Sequence, residues 1–489
     1  MTATSPAHFD LLIRGGTVID GSKAPRFDAD VGVTAGRIAA IGDLSGCTAE
    51  RTLDATGLVV APGFIDSHTH DDQAVLSQAA MPFKVSQGVT TVVAGNCGIS
   101  AAPLRPDMEL PMPLSLIDTP AEGRFTTFKA YLDALRATPS SVNVAAMVGH
   151  STLRAVTMAD LDRPANDAEI AAMQALVEEA MQAGAIGLST GTFYPPAVKA
   201  TTEEIIEVSR PLSARKALYV THMRDEGDRV MESLEETFAI GRALDIPVVV
   251  SHHKVQNVQN HGRTRVTLPF IREAMQHQCI SLDCYPYTAG STMIRTDRGM
   301  MEGRVLIASS VPHPECAGRD LKDIAAEWGV SGEEAAQRLQ PGSAIYFMMD
   351  EDDVQRILAF DETMIGSDGI PLGEKPHPRL WGTFPRVLGH YSRDVGLFPL
   401  ETAVWKMTGL TARNFGLHGR GTLAVGHHAD IVVFDPATVR DAANYETPTR
   451  PAEGIHSVIV NGHLTWQHGA HTGARGGQVI TRQGSEVAA

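Results

Sequence analysis

The feature that most constrains this chain is a repeat of form. Eight short apolar runs each lead toward residues able to do chemistry. The runs are Leu58–Ile65, Val89–Gly95, Val142–Gly149, Ala185–Ser189, Leu218–Thr221, Val248–Ser251, Ile280–Asp283 and Met364–Gly366. Longer helical patterns separate them. One such helix is bounded at both ends: Asn166 or Asp167 is its N-cap and Gly184 stops it. Its apolar stripe is Ile170, Met173, Leu176, Val177, Ala180 and Met181. Strand–helix alternation means a parallel sheet, and eight repeats predict an α/β fold, a (β/α)8 TIM barrel. In that fold, active sites lie at the C-terminal ends of the strands.

Those ends are specific. The first run leads into Asp66-Ser67-His68-Thr69-His70, the second into Asn96-Cys97-Gly98 and the third into His150. The fifth leads into His222 and the sixth into His252-His253-Lys254. The seventh gives Asp283 and Tyr285, and the eighth Ser367-Asp368-Gly369. His68 and His70 are two apart, so an extended strand turns them the same way. Such a pair alone is either a ligand pair or a structural one. Cys97 is either a buried small hydrophobe or a thiolate, and a thiolate with two imidazoles makes a good zinc set. His222 and His252, on adjacent strand ends, supply the imidazoles, whereas His253 faces the other way. Asp368 either bridges backbone amides or faces the metal as a general base. The acidic run Asp350 to Asp353 reads as the solvated first turn of a helix, with no chemistry.

The two ends of the chain resemble each other. Phe9–Asp20, Asp28–Ile41 and Arg51–Val60 read as short strands, as do Ala429–Phe434 and His456–Val460, with a turn at Asn461-Gly462. This predicts one small discontinuous β domain from both ends, residues 7–62 and 417–482, with the barrel, 63–416, inserted between them. The connection from Tyr285 to Ile345 is too long for a loop, and predicts a lid insertion after strand seven at about 286–346. A net charge of −16 argues against a nucleic-acid partner. No run of 18 apolar residues exists, so no membrane span is expected, and Met1 to Asp10 lacks a signal-peptide pattern. Five scattered cysteines fit a reducing, cytoplasmic compartment.

The stretch Pro62-Gly63-Phe64-Ile65-Asp66-Ser67-His68-Thr69-His70, with the split β domain and Asp368, resembles the amidohydrolase superfamily. Five further motifs narrow the resemblance to the N-acyl-D-amino-acid deacylases, over essentially the whole chain. They are Gly95-Asn96-Cys97-Gly98, Val148-Gly149-His150-Ser151, Thr221-His222-Met223-Arg224, Ser251-His252-His253-Lys254 and His377-Pro378-Arg379-Leu380-Trp381-Gly382. The resemblance implies that Cys97, His222 and His252 hold a tightly bound Zn2+. It implies that His68 and His70 line a second, weaker position, and that Asp368 is the catalytic acid/base. Lys254, Tyr285 and Arg379 would grip the α-carboxylate of a small N-acyl-D-amino acid, with Tyr194 and Ser291 also contacting it. Phe193, Met300, Tyr346 and Met349 would form the side-chain pocket.

The implied reaction is hydrolysis of the amide to a carboxylate and a free D-amino acid. Methionine adapts to varied apolar groups, which favours substrates such as D-Met, D-Leu and D-Phe. Arg295 and Arg298, in the lid, would instead serve a D-glutamate or D-aspartate side chain. Two other readings stand beside this one. Cyclic-amide hydrolases resemble this chain at H-x-H, but usually carry a carboxylated lysine on strand four. Here strand four reads Ala185-Ile186-Gly187-Leu188-Ser189-Thr190-Gly191, with no lysine. A non-catalytic binding protein on the same fold is expected to have lost ligands, and here all are present.

Overall fold

The computed structural model describes residues 7–117 and 123–481. The apolar runs become strands β1 (Phe64–Asp66), β2 (Val89–Ala94) and β3 (Asn143–Ala146, continued by Val148–Gly149). They continue as β4 (Gly187–Gly191), β5 (Leu218–His222), β6 (Val248–Val250), β7 (Ile280–Cys284) and β8 (Thr363–Ile365). Each pairs in parallel with the next. Beyond its last residue β8 meets β1 again: the Ser67 N–H donates to Ile365 O at 3.4 Å and the Asp368 N–H to His68 O at 2.8 Å. Thr69 and Gly369 form a parallel bridge there.

Alternation along the strands makes two cores. Ile65, Val93, Ala145, Val220, Val249 and Met364, one from each of six strands, share a cluster with Ile186, just before β4, and with Leu410 and Phe415. Val92, Val144, Leu188, Tyr219, Val250 and Leu282 point the other way, into the cluster shared with the connecting helices. Burial on both faces is why the runs read as continuously apolar. The helix Asp167–Ala183 is closed by a capping box, with Asn166 Oδ1 accepting from the Ala168 and Glu169 N–H groups. Gly184, at φ +115°, ends it in a conformation that a side chain would resist.

Strands from both chain ends share a second sheet. Val59–Pro62 links the ends, running antiparallel to Ile431–Phe434 with Val60 opposite Val433. Gly63 then separates it from β1, so one apolar run serves two sheets. Two expected strands divide. Asp28–Ile41 is a hairpin of Phe27–Thr34 and Arg37–Gly42, turned by positive φ at Ala35 and Gly36. Arg51–Val60 splits into Thr48–Asp54 and Val59–Pro62 around Gly57. The segment counted with the end sheet also departs at its tail. Val479–Ile480 pairs with β3, Val479 opposite Val144, and residue 482 lies outside the described residues.

Between β7 and β8 stands an insertion with its own antiparallel sheet, Ala289–Met293, Arg304–Ser310 and Gly342–Phe347. The helices Leu321–Trp328 and Gly332–Leu339 pack on it through Ile324 and Leu339. The acidic run that follows does open a helix, Glu351–Ala359, with Asp350 as N-cap. Asp353, however, is buried rather than solvated, because it accepts the Gly262 N–H at 2.6 Å and pairs with Arg356. The five cysteines are free, and no helix among the described residues is long and apolar enough to cross a membrane.

Candidate active site

The polar ends of β1, β2, β5, β6 and β8 converge on the thiol of Cys97. His68 Nε2 lies 3.2 Å from its sulfur, His252 Nε2 3.4 Å and His222 Nδ1 3.6 Å. Asp368 completes the group, with Oδ1 3.2 Å from His70 Nε2 and 3.6 Å from His68 Nε2. All six residues are buried. Cys97 (φ 53°), His252 (φ 35°) and Asp368 (φ 50°) hold left-handed backbone, which non-glycine residues seldom adopt. Such strain persists where the surroundings over-determine it, and it clusters at functional sites.

Strand β4 makes room for the Cys97 turn. A Cβ on Gly191 would sit 2.1 Å from Cys97 O. The Ser189 hydroxyl donates to Gly95 O and accepts the Gly98 N–H at 2.9 Å. On the β1 side, Lys84 donates to Asp66 Oδ2 at 2.7 Å and to the Ser367 hydroxyl at 3.0 Å. Asp66 Oδ1 accepts the Ser367 N–H at 2.7 Å, which fixes the turn that carries Asp368.

Burial opposes charge on the Cys97 thiol, but His68 and His252 prevail and hold its pKa well below the ordinary value. Burial likewise opposes ionisation of Asp368, and Arg379 and His252 overcome it, so the carboxyl is held well below its usual range. His70 is pushed up to about 9: burial works against this, and Asp368 and Cys97 outweigh it. An ionised thiol facing three imidazole nitrogens is a donor set that suits zinc. The hydrogen-bond partner of each inner nitrogen is the sulfur itself, and His68, Cys97, His252 and Asp368 offer ligand atoms within 4.8 Å of one another. The residues therefore fit a metal ion.

A cavity opens over this group, lined by Lys254, Tyr285, Tyr194, Ser291, Phe193 and Met300 together with Asp368 and His222. Arg379 lies buried beside it. Its Nη2 donates to Ser291 O at 3.1 Å and pairs with Asp368 Oδ2 at 2.9 Å, while Nε and Nη1 are buried without partners. Both cations sit against Tyr285, the Arg379 guanidinium 4.5 Å and Lys254 Nζ 5.6 Å from the ring. Phe193 stacks on His222 with centroids 5.1 Å apart, and the Tyr194 hydroxyl accepts from Thr292 at 3.1 Å.

Not every expected residue lines that cavity. The Tyr346 hydroxyl is committed within the insertion, accepting the Arg295 N–H at 2.8 Å and donating to Met293 O at 3.0 Å. Its ring packs in one cluster with Met300 and Phe193. Met349 is buried 4.0 Å from the Tyr285 hydroxyl, and its neighbour Met348 lines the cavity instead. The Arg295 guanidinium lies 4.5 Å over the Phe193 ring, with its Nε on Asp297 at 2.7 Å. The Arg298 side chain lies outside the described residues. His253 turns away to the Thr267 hydroxyl at 2.9 Å. His150 is buried 3.3 Å from Glu204, which also pairs with Arg154, away from the thiol.

Two further acidic residues belong to the site: Asp283, at the end of the seventh apolar run as read from the sequence, and Glu226, which was not singled out there. Asp283 Oδ1 accepts the His252 N–H at 2.7 Å and lies 3.5 Å from His68 Nδ1. Glu226 lies behind both imidazoles of the β5 and β6 ends, and its spacing of four from His222 was the available signal. Burial would raise its pKa, but Lys254, His222 and His252 hold it well below the carboxylate range.

The model of the amidohydrolase family matches residues 51–277 and 273–465. This chain belongs to the amidohydrolase family. Among known members, D-aminoacylase of Alcaligenes xylosoxydans xylosoxydans is 63% identical over 482 residues, covering 99% of both chains. A solved structure of D-aminoacylase, described with a binuclear metal centre, has a TM-score of 0.95 at 61% identity, covering 97% of this chain and 100% of that one. N-acyl-D-glutamate deacylase from Bordetella bronchiseptica, solved with zinc and a phosphonate inhibitor, has a TM-score of 0.94 at 46% identity, with 97% and 100% covered. In this amidohydrolase the end of β4 holds Ser189 and Gly191 around the Cys97 turn, and the strand carries no lysine.

Proposed function

We propose that this amidohydrolase is a zinc-dependent deacylase of N-acyl-D-amino acids with apolar side chains. One juxtaposition carries the reading. A Cys–His donor set, the ionised Asp368 and the unpartnered Nε and Nη1 of Arg379 meet beside one cavity. The 63% identity to D-aminoacylase supports it. We read the eight-strand ladder as a (β/α)8 barrel over 63–416, with 7–62 and 417–482 as the end domain and the insertion at about 286–346 as a lid. The free cysteines support a cytoplasmic site of action.

Cys97, His222 and His252 would hold the ion, with His68 and His70 beside a second, weaker position. Zinc bound there supplies a Lewis acid next to the scissile carbonyl. Arg379, Lys254 and Tyr285 take the substrate α-carboxylate through charge-assisted hydrogen bonds. That anchorage sets the acyl carbon beside Asp368, turning a chance encounter into a positioned one. Asp368 takes a proton from the attacking water, whose oxygen joins the acyl carbon. The C–N bond breaks, and Asp368 returns the proton to the departing nitrogen. With the α-carboxylate fixed, the D side chain faces Phe193, Met300 and Met348, and the L isomer turns its side chain to the opposite wall.

An acidic D side chain is the second reading, and one observation favours it: the Arg295 guanidinium over Phe193. Its hydrogen bond to Asp297 weighs against it. The test is kcat/KM on N-acetyl-D-methionine against N-acetyl-D-glutamate. A preference for methionine of about tenfold, about 1.4 kcal/mol, is expected. A preference for glutamate would transfer the assignment to acidic substrates.

A further inference from the structure

Glu226 stands where the metal donors and the substrate clamp meet. Its Oε1 lies 3.0 Å from His252 Nδ1 and 2.7 Å from Lys254 Nζ. Its Oε2 lies 3.5 Å from His222 Nε2 and accepts from Gln256 Nε2 at 2.6 Å. The backbone doubles the link, because the Gln256 N–H donates to Glu226 O at 2.8 Å. The two strand ends are built alike: Glu226 follows His222 by four residues and Gln256 follows His252 by four.

We propose that Glu226 is a positioning residue that ties metal affinity to the α-carboxylate clamp. This rests on the zinc reading above. An imidazole that gives its inner nitrogen to a metal carries its proton on the outer nitrogen, and the acceptor there fixes its tautomer and tilt. Here the outer nitrogens of two rings face the two oxygens of one carboxylate. Lys254 Nζ also lies 2.8 Å from His252 Nδ1. A protonated Nδ1 and an ammonium cannot donate to each other, so the shared acceptor Oε1 keeps both in place, with His252 O also accepting from Lys254 Nζ at 3.1 Å. One carboxylate therefore sets the His252 ring and the lysine directly; toward His222 its influence is electrostatic, because the 3.5 Å separation from Nε2 is not a hydrogen bond.

The test measures zinc affinity by competition with a chromophoric chelator, without substrate, alongside kcat and KM on N-acetyl-D-methionine. Glu226→Gln keeps the shape but replaces one acceptor oxygen with a donor. Zinc affinity is expected to fall about 10–100-fold, with a raised KM. Glu226→Asp should recover part of the affinity. Lys254→Met should raise KM while zinc affinity stays at or above that of the unmodified protein, which separates the carboxylate's two tasks. If Glu226→Gln does not fold, Glu226→Asp is read in its place and must bind zinc more weakly than the unmodified protein. Unchanged zinc affinity in the glutamate variants overturns this inference alone. An equal loss of zinc in Lys254→Met also overturns it, since the effect would then run through the lysine. An unmodified protein that binds no zinc overturns both this inference and the zinc reading.

Discussion

Two buried lysine–carboxylate groups stand near the strand ends, and they differ in what they face. Lys84 uses its ammonium on Asp66, Ser367 and, at 3.2 Å, Asp71, and so ties β1 to the turn after β8. Lys254 is held by Glu226 at 2.7 Å but also lines the cavity and lies against Tyr285. Both lysines are buried, but Lys84 faces two carboxylates and Lys254 one. One group spends its donors inside the protein, and the other keeps a side toward the place where a carboxylate would arrive. A buried ion pair is thus not by itself a functional sign; its open side is.

The largest effect expected belongs to the open side. Asp368→Asn should cut kcat by about 10²–10⁴-fold with zinc content retained, measured by turnover and metal analysis. Near-normal kcat would remove Asp368 from its acid/base role. Next comes the closed group. Lys84→Met leaves Asp66 and Asp71 unpaired in the interior and should lower stability by about 3–5 kcal/mol in denaturant melts. Lys254→Met should cost less stability, because Glu226 keeps Gln256 and both imidazoles, yet it should act on KM. Equal losses of stability would erase the distinction.

A smaller effect is set by pH at a second closed group. Burial would raise the Glu204 pKa, but His150 and Arg154 help pull it down to about 2 from 4.5. The native state thus favours the ionised form. Its contribution is present above about 4.5 and is lost as pH falls toward 2. Glu204→Gln should flatten that part of the acid-unfolding curve while leaving the pH dependence of kcat unchanged. The smallest effect is local: Asn166→Ala removes a capping acceptor and should cost about 1 kcal/mol, with no change in kcat/KM.

The same contrast explains what was legible in the sequence. His68, Cys97, His222, His252 and Asp368 stand where apolar runs end, and runs buried on both faces are easy to see. Gly184 and Asn166 mark a helix by local chemistry alone. Glu226 was legible only as a spacing of four from His222. It lies in Arg224-Asp225-Glu226-Gly227-Asp228-Arg229, which has the composition of a solvated loop, and only the fold over β5 and β6 turns it inward. Asp353 was misread for the same reason, since its partners Gly262 and Thr264 are distant in sequence. Met348 and Met349 are adjacent and chemically identical, so which one faces the cavity depends on the path of the chain after Phe347. The return of Val479–Ile480 to β3 has no local signature, being a pairing across more than 300 residues.

The central claim is that the cavity over Cys97 and Asp368 deacylates D- but not L-amino acids. The most direct test is release of acetate by the zinc-loaded protein from N-acetyl-D-methionine and from N-acetyl-L-methionine under one set of conditions. The account predicts turnover of the D isomer, loss of that turnover on chelation with recovery on zinc, and an inert L isomer. Equal turnover of the two isomers, or none of either, would contradict it.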